Sequence, residues 1–263
     1  MMGERGEHGK HGRARTWSAP IELPPAGEPL EPPASFGARL GEIGVELEPG
    51  ETAQLGRYAA LLLAANESIN LTAVRTAEAL WMGHIADALA LLPVLASAEE
   101  DGGNDGGNDG GEVGGGGDLR SLIDVGSGGG LPGLVLAVVR PDMDITLLDA
   151  TAKKCRFLEH AAHELGLANV SVVHARAEAA GRVRGERVDR GGGAHRVGGL
   201  RGAFDVVTAR AVGRLATLAE LTVPLAKVGG VIALVKGARA EEELEEATRA
   251  LHLLHAGHAG TVE

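Results

Sequence analysis

The stretch SLIDVGSGGGLPG, Ser121 to Gly133, decides the fold. It opens as a short apolar strand, SLIDV, and then places five glycines within eight positions, Gly126 to Gly133. A strand that stops at a glycine turn and hands on to an apolar helix, here expected near 132–140, is the first half of a strand–helix–strand unit. Glycine lets the backbone approach a ligand closely, because no Cβ stands in the way. Pro132 falls in the first turn of that helix, where a missing N–H costs little. Alone, such a loop is weak evidence.

Working outward, the same alternation repeats. Strand DITLLD (144–149) leads to a helix from Lys153 to Leu165, and strand VSVVH (170–174) precedes a glycine- and arginine-rich run, 181–202. Strand FDVVTA (204–209), a helix near 212–226, strand GVIALVK (230–236) and an acidic helix near 240–254 follow. Five apolar strands alternating with helices predict an α/β fold with a parallel sheet covered on both faces. Ligands in such sheets bind outside the carboxyl ends of the strands, where strand order reverses.

Upstream, helices are expected near 52–65, with Leu55, Tyr58, Ala59 and Leu62 at helical spacing, and near 76–96, with Leu80, Trp81, His84, Ile85 and Ala88 along one side. The expected organisation is a disordered tail over 1–50, a helical extension over 51–97 and a flexible Gly/Asp-rich insertion over 98–118. A main domain over 119–255 carries the insertion 181–202, and 256–263 is a tail.

Composition narrows the classes. The chain has 263 residues, 44% hydrophobic but only 2% aromatic, so Leu, Val, Ile and Ala must fill the core. No stretch approaches the roughly 18 continuous apolar residues of a membrane span, and the first 20 residues lack a signal-peptide apolar region. With one cysteine there is no internal disulfide, which fits a reducing compartment. The cytoplasm is the expected address, with an organelle left open. A net charge of -11 argues against a general nucleic-acid coat. Locally, however, six arginines stand against two acids between Arg182 and Arg201.

Two registers compete for the glycine loop. Gly128-x-Gly130-x-x-Gly133 with Asp149 downstream is a literal dinucleotide fingerprint. Pro132 removes an N–H at the helix start that a pyrophosphate wants, and the glycines leaving the strand directly are Gly126 and Gly128. The better reading is a nucleoside whose amino-acid and ribose end meets the loop. Asp149 can accept from both ribose hydroxyls or cap the next helix. Ala177-Glu178, after the third strand, can read an adenine edge with a backbone N–H and a carboxylate. Glu178 is otherwise a solvated helix-start residue.

The residues taken together resemble the small-subunit (16S) rRNA guanine-N7 methyltransferase family, also called glucose-inhibited division protein B. The matching pieces are Asn70-Leu71-Thr72, His84-Ile85-x-Asp87, DVGSGGGLPG (124–133), LLDA (147–150), Lys153-Lys154-Cys155-Arg156-Phe157-Leu158, RAEA (176–179), TARAV (208–212) and Lys236-Gly237. They span about residues 52–250. The resemblance implies a Rossmann-like class I fold and S-adenosylmethionine as cofactor. It implies a cofactor pocket of Gly126, Ser127, Gly128, Leu131, Ala177, Glu178 and Arg210, with Asp149 at the ribose. His84, Asp87, Arg210 and Lys236 would border the target guanine, although Ala88 stands where the family usually has serine. Small-subunit rRNA or the assembling subunit is the implied partner, to a monomer. Methyltransferases of this class end with two further strands, yet only 26 residues follow Gly237 and they offer no strand pair. The fifth strand is therefore expected to be an uncovered edge. Truncation, a frameshift or some replacement would each account for that.

Guanine N7 carries a free lone pair, so its methylation needs no general base. Positioning is what the protein must supply, worth about 7–11 kcal/mol in favourable cases. Lys153, Lys154 and Arg156 open a helix beside the pocket and are the expected RNA contacts. The 182–201 run either adds to them or is a solvated insertion. Cys155 reads as a packed thiol and His84 equally as a buried helix histidine. His252, His255 and His258 lack the carboxylate or thiol that zinc would want, so no metal is expected. A methyltransferase acting on another substrate and a non-catalytic RNA-binding relic are the competing readings.

Overall fold

The computed structural model describes residues 23–25, 27–101, 119–189, 194–210 and 213–261. The expected insertion therefore lies outside the described residues from 102 to 118.

The expectation of a disordered tail over 1–50 is corrected where the chain is described. Helix α1 (Phe36–Glu42) buries Phe36, whose ring meets Trp81 edge-on at a centroid distance of 4.7 Å. Val45 is buried too, and the Leu30 N–H donates to the Gly56 carbonyl at 3.1 Å. Isolated apolar anchors docking into helix grooves order a segment whose proline and glycine content suggests otherwise. Helix α2 (Pro49–Ile69) starts with a proline in its first turn and a reciprocal cap between Glu48 and Glu51. It ends at Asn70 in a left-handed conformation.

Next comes one broken helical run: α3 (Ala77–Leu80), a π-helical turn (Trp81–Ile85), α4 (Ala86–Leu89) and α5 (Leu91–Asp101). By length and composition Ala77–Glu100 could cross a bilayer, but Leu80, Trp81, Ile85, Leu89 and Leu95 are buried in the protein core.

The main sheet contains β1 (Ser121–Val125), β2 (Asp144–Asp149), β3 (Val170–His174), β6 (Phe204–Arg210) and β7 (Ala226–Val235), ordered β3-β2-β1-β6-β7 and parallel throughout. Strand order reverses beside β1, so the crevice opens at its carboxyl end. The residues expected to be a low-complexity insertion contribute an antiparallel hairpin, β4 (Arg184–Asp189) and β5 (Ala194–Leu200). Backbone pairing, which composition does not register, makes those strands.

Helices α6 (Gly133–Val139) and α7 (Ala152–Glu164) join α2 and α4 on one face of the sheet. There Leu62, Leu134, Leu147, Phe157 and Val206 form one core. Helices α8 (Ala177–Ala180) and α9 (Leu215–Thr222) cover the other face over Ile123, Leu148, Val207 and Leu218. Each buried aliphatic side chain contributes about 1.5–3 kcal/mol. The last helix, α10 (Ala240–Leu253), packs back on α9. Among the described residues no strand pairs with the outer edge of β7, and Val228 on it is 90% exposed.

Candidate active site

The loop after β1 is built from the backbone inward. Gly126 and Gly128 have φ of 75° and 57°, conformations that side-chain-bearing residues adopt rarely. The Gly126 and Ser127 N–H groups both donate to the Leu148 carbonyl, at 2.8 and 3.1 Å, tying the loop to the end of β2. Gly130 N–H and Leu131 N–H donate to the Ser127 carbonyl. The Gly133 N–H, at the start of α6, donates to Asp124 Oδ2 at 3.1 Å. A pyrophosphate would need these amides, and they are already satisfied within the protein. At the start of α6 the Gly133 and Leu134 amides are engaged by Asp124 and the Gly130 carbonyl.

Asp149 stands at the end of β2, 6% exposed. Its Oδ2 accepts from the Gly128 N–H at 3.1 Å and its Oδ1 from the Thr151 N–H at 2.7 Å. Each oxygen keeps a further lone pair. The carboxylate thus ties the glycine loop to the start of α7. Gly126 is exposed beside it. Ala177 and Glu178 begin α8 just beyond β3, with Glu178 exposed and Ala177 half-buried. The edge therefore offers an exposed glycine, an acidic acceptor and a helix start in a row, which fits a nucleoside bearing an amino-acid tail.

Arg210 ends β6 and turns toward the π-helical turn. Its Nη2 donates to the Gly83 carbonyl at 2.9 Å and to Asp87 Oδ2 at 3.0 Å, and its Nη1 to the His84 carbonyl at 3.3 Å. Nη2 also lies against His84 Nδ1. The same ring nitrogen lies 2.8 Å from the Gly83 carbonyl. Burial, then the charge of Arg210, holds the imidazole below its ordinary pKa and so neutral. The expected grouping of His84, Asp87 and Arg210 is thus a contact cluster.

Lys236, directly after β7, points elsewhere: its Nζ donates to Glu243 Oε2 at 2.7 Å and to the Gly213 carbonyl at 2.8 Å. Lys153 and Lys154 lie in the first turn of α7 and make no ion pair among the described residues. Arg156, half-buried, is on the next turn of the same helix. Cations at a helix N-terminus oppose the helix dipole. Lys153 and Lys154 stand at that end without an ion pair among the described residues. Cys155 is a packed thiol, with burial pushing its pKa up to about 11. No group of three or more His, Cys, Asp or Glu suited to a metal occurs among the described residues.

Two residues carry more than the sequence suggests. Asp124 is fully buried, and desolvation pushes its carboxyl up to about 7 despite the Gly133 N–H. Among the described residues its Oδ1 has no hydrogen-bond partner, nor has Oγ1 of Thr208, its register partner on β6. Tyr58, read from spacing as an apolar helix residue, donates its hydroxyl to the Gly129 carbonyl at 2.8 Å. Nothing in the local sequence signals that bond, whose partners are 71 positions apart.

A family model described as rRNA small subunit methyltransferase G matches residues 51–262. Ribosomal RNA small subunit methyltransferase G of Sorangium cellulosum (strain So ce56) is 46% identical over 233 residues, 89% of this chain and 83% of that protein. Its namesake in Geobacillus thermodenitrificans (strain NG80-2) is 35% identical over 216 residues, 82% of this chain and 77% of that one. Among solved structures, a SAM-dependent methyltransferase from Aquifex aeolicus aligns at 17% identity with a TM-score of 0.35, covering 51% of this chain and 71% of that chain.

Proposed function

The chain belongs to the rRNA small subunit methyltransferase G family, and from that premise we propose that it methylates N7 of a guanine in small-subunit rRNA with S-adenosylmethionine as donor. The observation that carries this reading is the inward-turned loop beside Asp149 at the reversal of strand order. It favours a neutral ribose over a pyrophosphate. When bound, the cofactor supplies an activated methyl group on a sulfonium.

The chain's own residues then have three tasks. Gly126, Ser127, Gly128 and Leu131 shape the seat, Asp149 accepts from the ribose, and Ala177 with Glu178 reads the adenine edge. Arg210, held by Asp87 and the Gly83 and His84 carbonyls, presents its guanidinium at the carboxyl edge to the guanine or an adjoining phosphate. His84, kept neutral, supports that placement, and no proton need leave N7. Lys236 joins in by exchanging Glu243 for an RNA phosphate. Lys153, Lys154 and Arg156 hold the RNA backbone beside the pocket, and the β4–β5 hairpin adds to that surface. The protein acts as a cytoplasmic monomer.

Mass mapping of small-subunit rRNA from a deletion strain tests the reaction. Loss of a single N7-methylguanine is the expected result. Unchanged rRNA with cofactor binding intact would redirect the activity to another substrate, and a protein that binds no S-adenosylmethionine would be a non-catalytic relic.

A further inference from the structure

We infer that Tyr58, on the helical extension, is a positioning residue for the cofactor loop, so that cofactor affinity depends on helix α2. The inference rests on the methyltransferase reading above.

Gly128, Gly129 and Gly130 form an unbroken run with no side chains of its own to pack, held from within by the Gly130 and Leu131 N–H groups on the Ser127 carbonyl. The peptide between Gly129 and Gly130 is flanked by glycine on both sides, and within the loop only its N–H is anchored, on the Ser127 carbonyl at 2.7 Å. Two side chains anchor the groups that these backbone bonds leave over. Asp149 fixes the Gly128 N–H, and the Tyr58 hydroxyl fixes the Gly129 carbonyl at 2.8 Å.

Tyr58 is well suited to the task. It is 0% exposed, and burial, reinforced by the nearby Asp124 carboxyl, raises its pKa well above the usual phenol value, so it stays a neutral donor. Behind Gly129 the same helix presents Leu62, whose Cδ1 would lie 2.8 Å from a Cβ built there. Leu71, in the Asn70-Leu71-Thr72 segment, closes the other side at 3.5 Å. Asn66 in turn cages that segment, accepting from the Leu71 and Thr72 N–H groups at 2.6 and 2.9 Å. Helix α2 therefore forms the back wall of the loop. Phenylalanine at 58 would keep the wall and release the carbonyl.

The test compares Tyr58→Phe with Thr222→Val in calorimetric titration with S-adenosylmethionine, in melting and in steady-state methylation of small ribosomal subunits. Thr222 is a buried hydroxyl donating to Leu218 at 2.7 Å on the opposite face of the sheet, so it reports the generic effect of losing such a bond. Tyr58→Phe is expected to weaken cofactor binding and raise its KM about fivefold, the loss of one hydrogen bond. At saturating cofactor kcat should stay within about twofold of wild type. Thr222→Val should lower the melting temperature similarly and leave affinity alone. Equal affinity in Tyr58→Phe and wild type, or an equal loss in both variants, overturns the inference. If Tyr58→Phe does not fold, hydrogen exchange on the wild type decides. Peptides covering Leu55–Leu62 should gain protection with those of the loop when cofactor is added, and protection confined to the loop overturns it. A wild-type protein that binds no cofactor overturns the underlying reading, and this inference with it.

Discussion

Arg210 and Asp87 lie 123 positions apart in sequence, yet Nη2 of the first donates to Oδ2 of the second at 3.0 Å. The bond joins the carboxyl end of the central sheet to the helical extension. Arg210 is the more buried partner, its side chain 14% exposed against 37% for Asp87. The wider π-helical turn turns the Gly83 and His84 carbonyls onto the same guanidinium. Such turns recur at functional sites.

Asp87→Asn should therefore lower kcat about 10-fold to 100-fold, the value of a charge-assisted hydrogen bond. Cofactor affinity should change less than threefold and the melting temperature little. Arg210→Lys should be nearly as damaging as Arg210→Ala, since an ammonium lacks the planar fork that serves the Gly83 and His84 carbonyls and Asp87 together. Full activity in Asp87→Asn, measured on small subunits, would remove Asp87 from the positioning of Arg210.

Asp149→Ala frees the Gly128 and Thr151 amides and deletes the acceptor proposed for the ribose. Cofactor affinity should fall at least about 100-fold, the sum of a charged hydrogen bond and a loosened loop. Calorimetry that found the variant as tight as wild type would dismiss the ribose assignment.

Asp124 links the site to pH. Burial disfavours the charge and pushes its folded carboxyl up to about 7 from the ordinary aspartate value of 3.8. The folded state then holds a proton that the unfolded chain releases, so stability falls as pH rises from about 4 through 7. At roughly 1.4 kcal/mol per unit the full effect approaches about 4 kcal/mol. Asp124→Asn, which keeps an acceptor for the Gly133 N–H, should flatten that slope. Chemical denaturation of both proteins at pH 5, 6, 7 and 8 checks it. Parallel slopes would show Asp124 ionised throughout.

The sheet was legible because its strands are continuous apolar runs and each meets a turn residue. All five fell within a few residues of their observed limits, as did the glycine loop. Other features were hidden for identifiable reasons. Helix α1 hangs on Phe36 and its contact with Trp81, a single aromatic in a proline-rich setting. The β4–β5 hairpin is carried by backbone pairing in a stretch whose composition resembles a linker. Tyr58 looked like one more apolar position because its hydroxyl has its partner on a backbone carbonyl across the molecule. Lys236 matched its motif in sequence, while its contact with Glu243 depends on how α10 returns along α9.

RNA contact by Lys153 and Lys154 can be tested apart from chemistry. Both open α7 next to Asp149, at the positive end of the helix dipole, where neither gains an ion pair among the described residues. A fold with no use for them there would favour acids. On a chain of net charge -11, phosphate binding must come from such local clusters. Each phosphate neutralised adds about 0.7–0.9 to the slope of log affinity against log salt. The double variant Lys153→Ala, Lys154→Ala should therefore bind small-subunit rRNA with a slope shallower by roughly 1.5–2. Its calorimetric affinity for S-adenosylmethionine should match wild type, because neither lysine is among the proposed ribose or adenine contacts. The same slope in both proteins would move the RNA interface away from α7, with the β4–β5 hairpin the next surface to test.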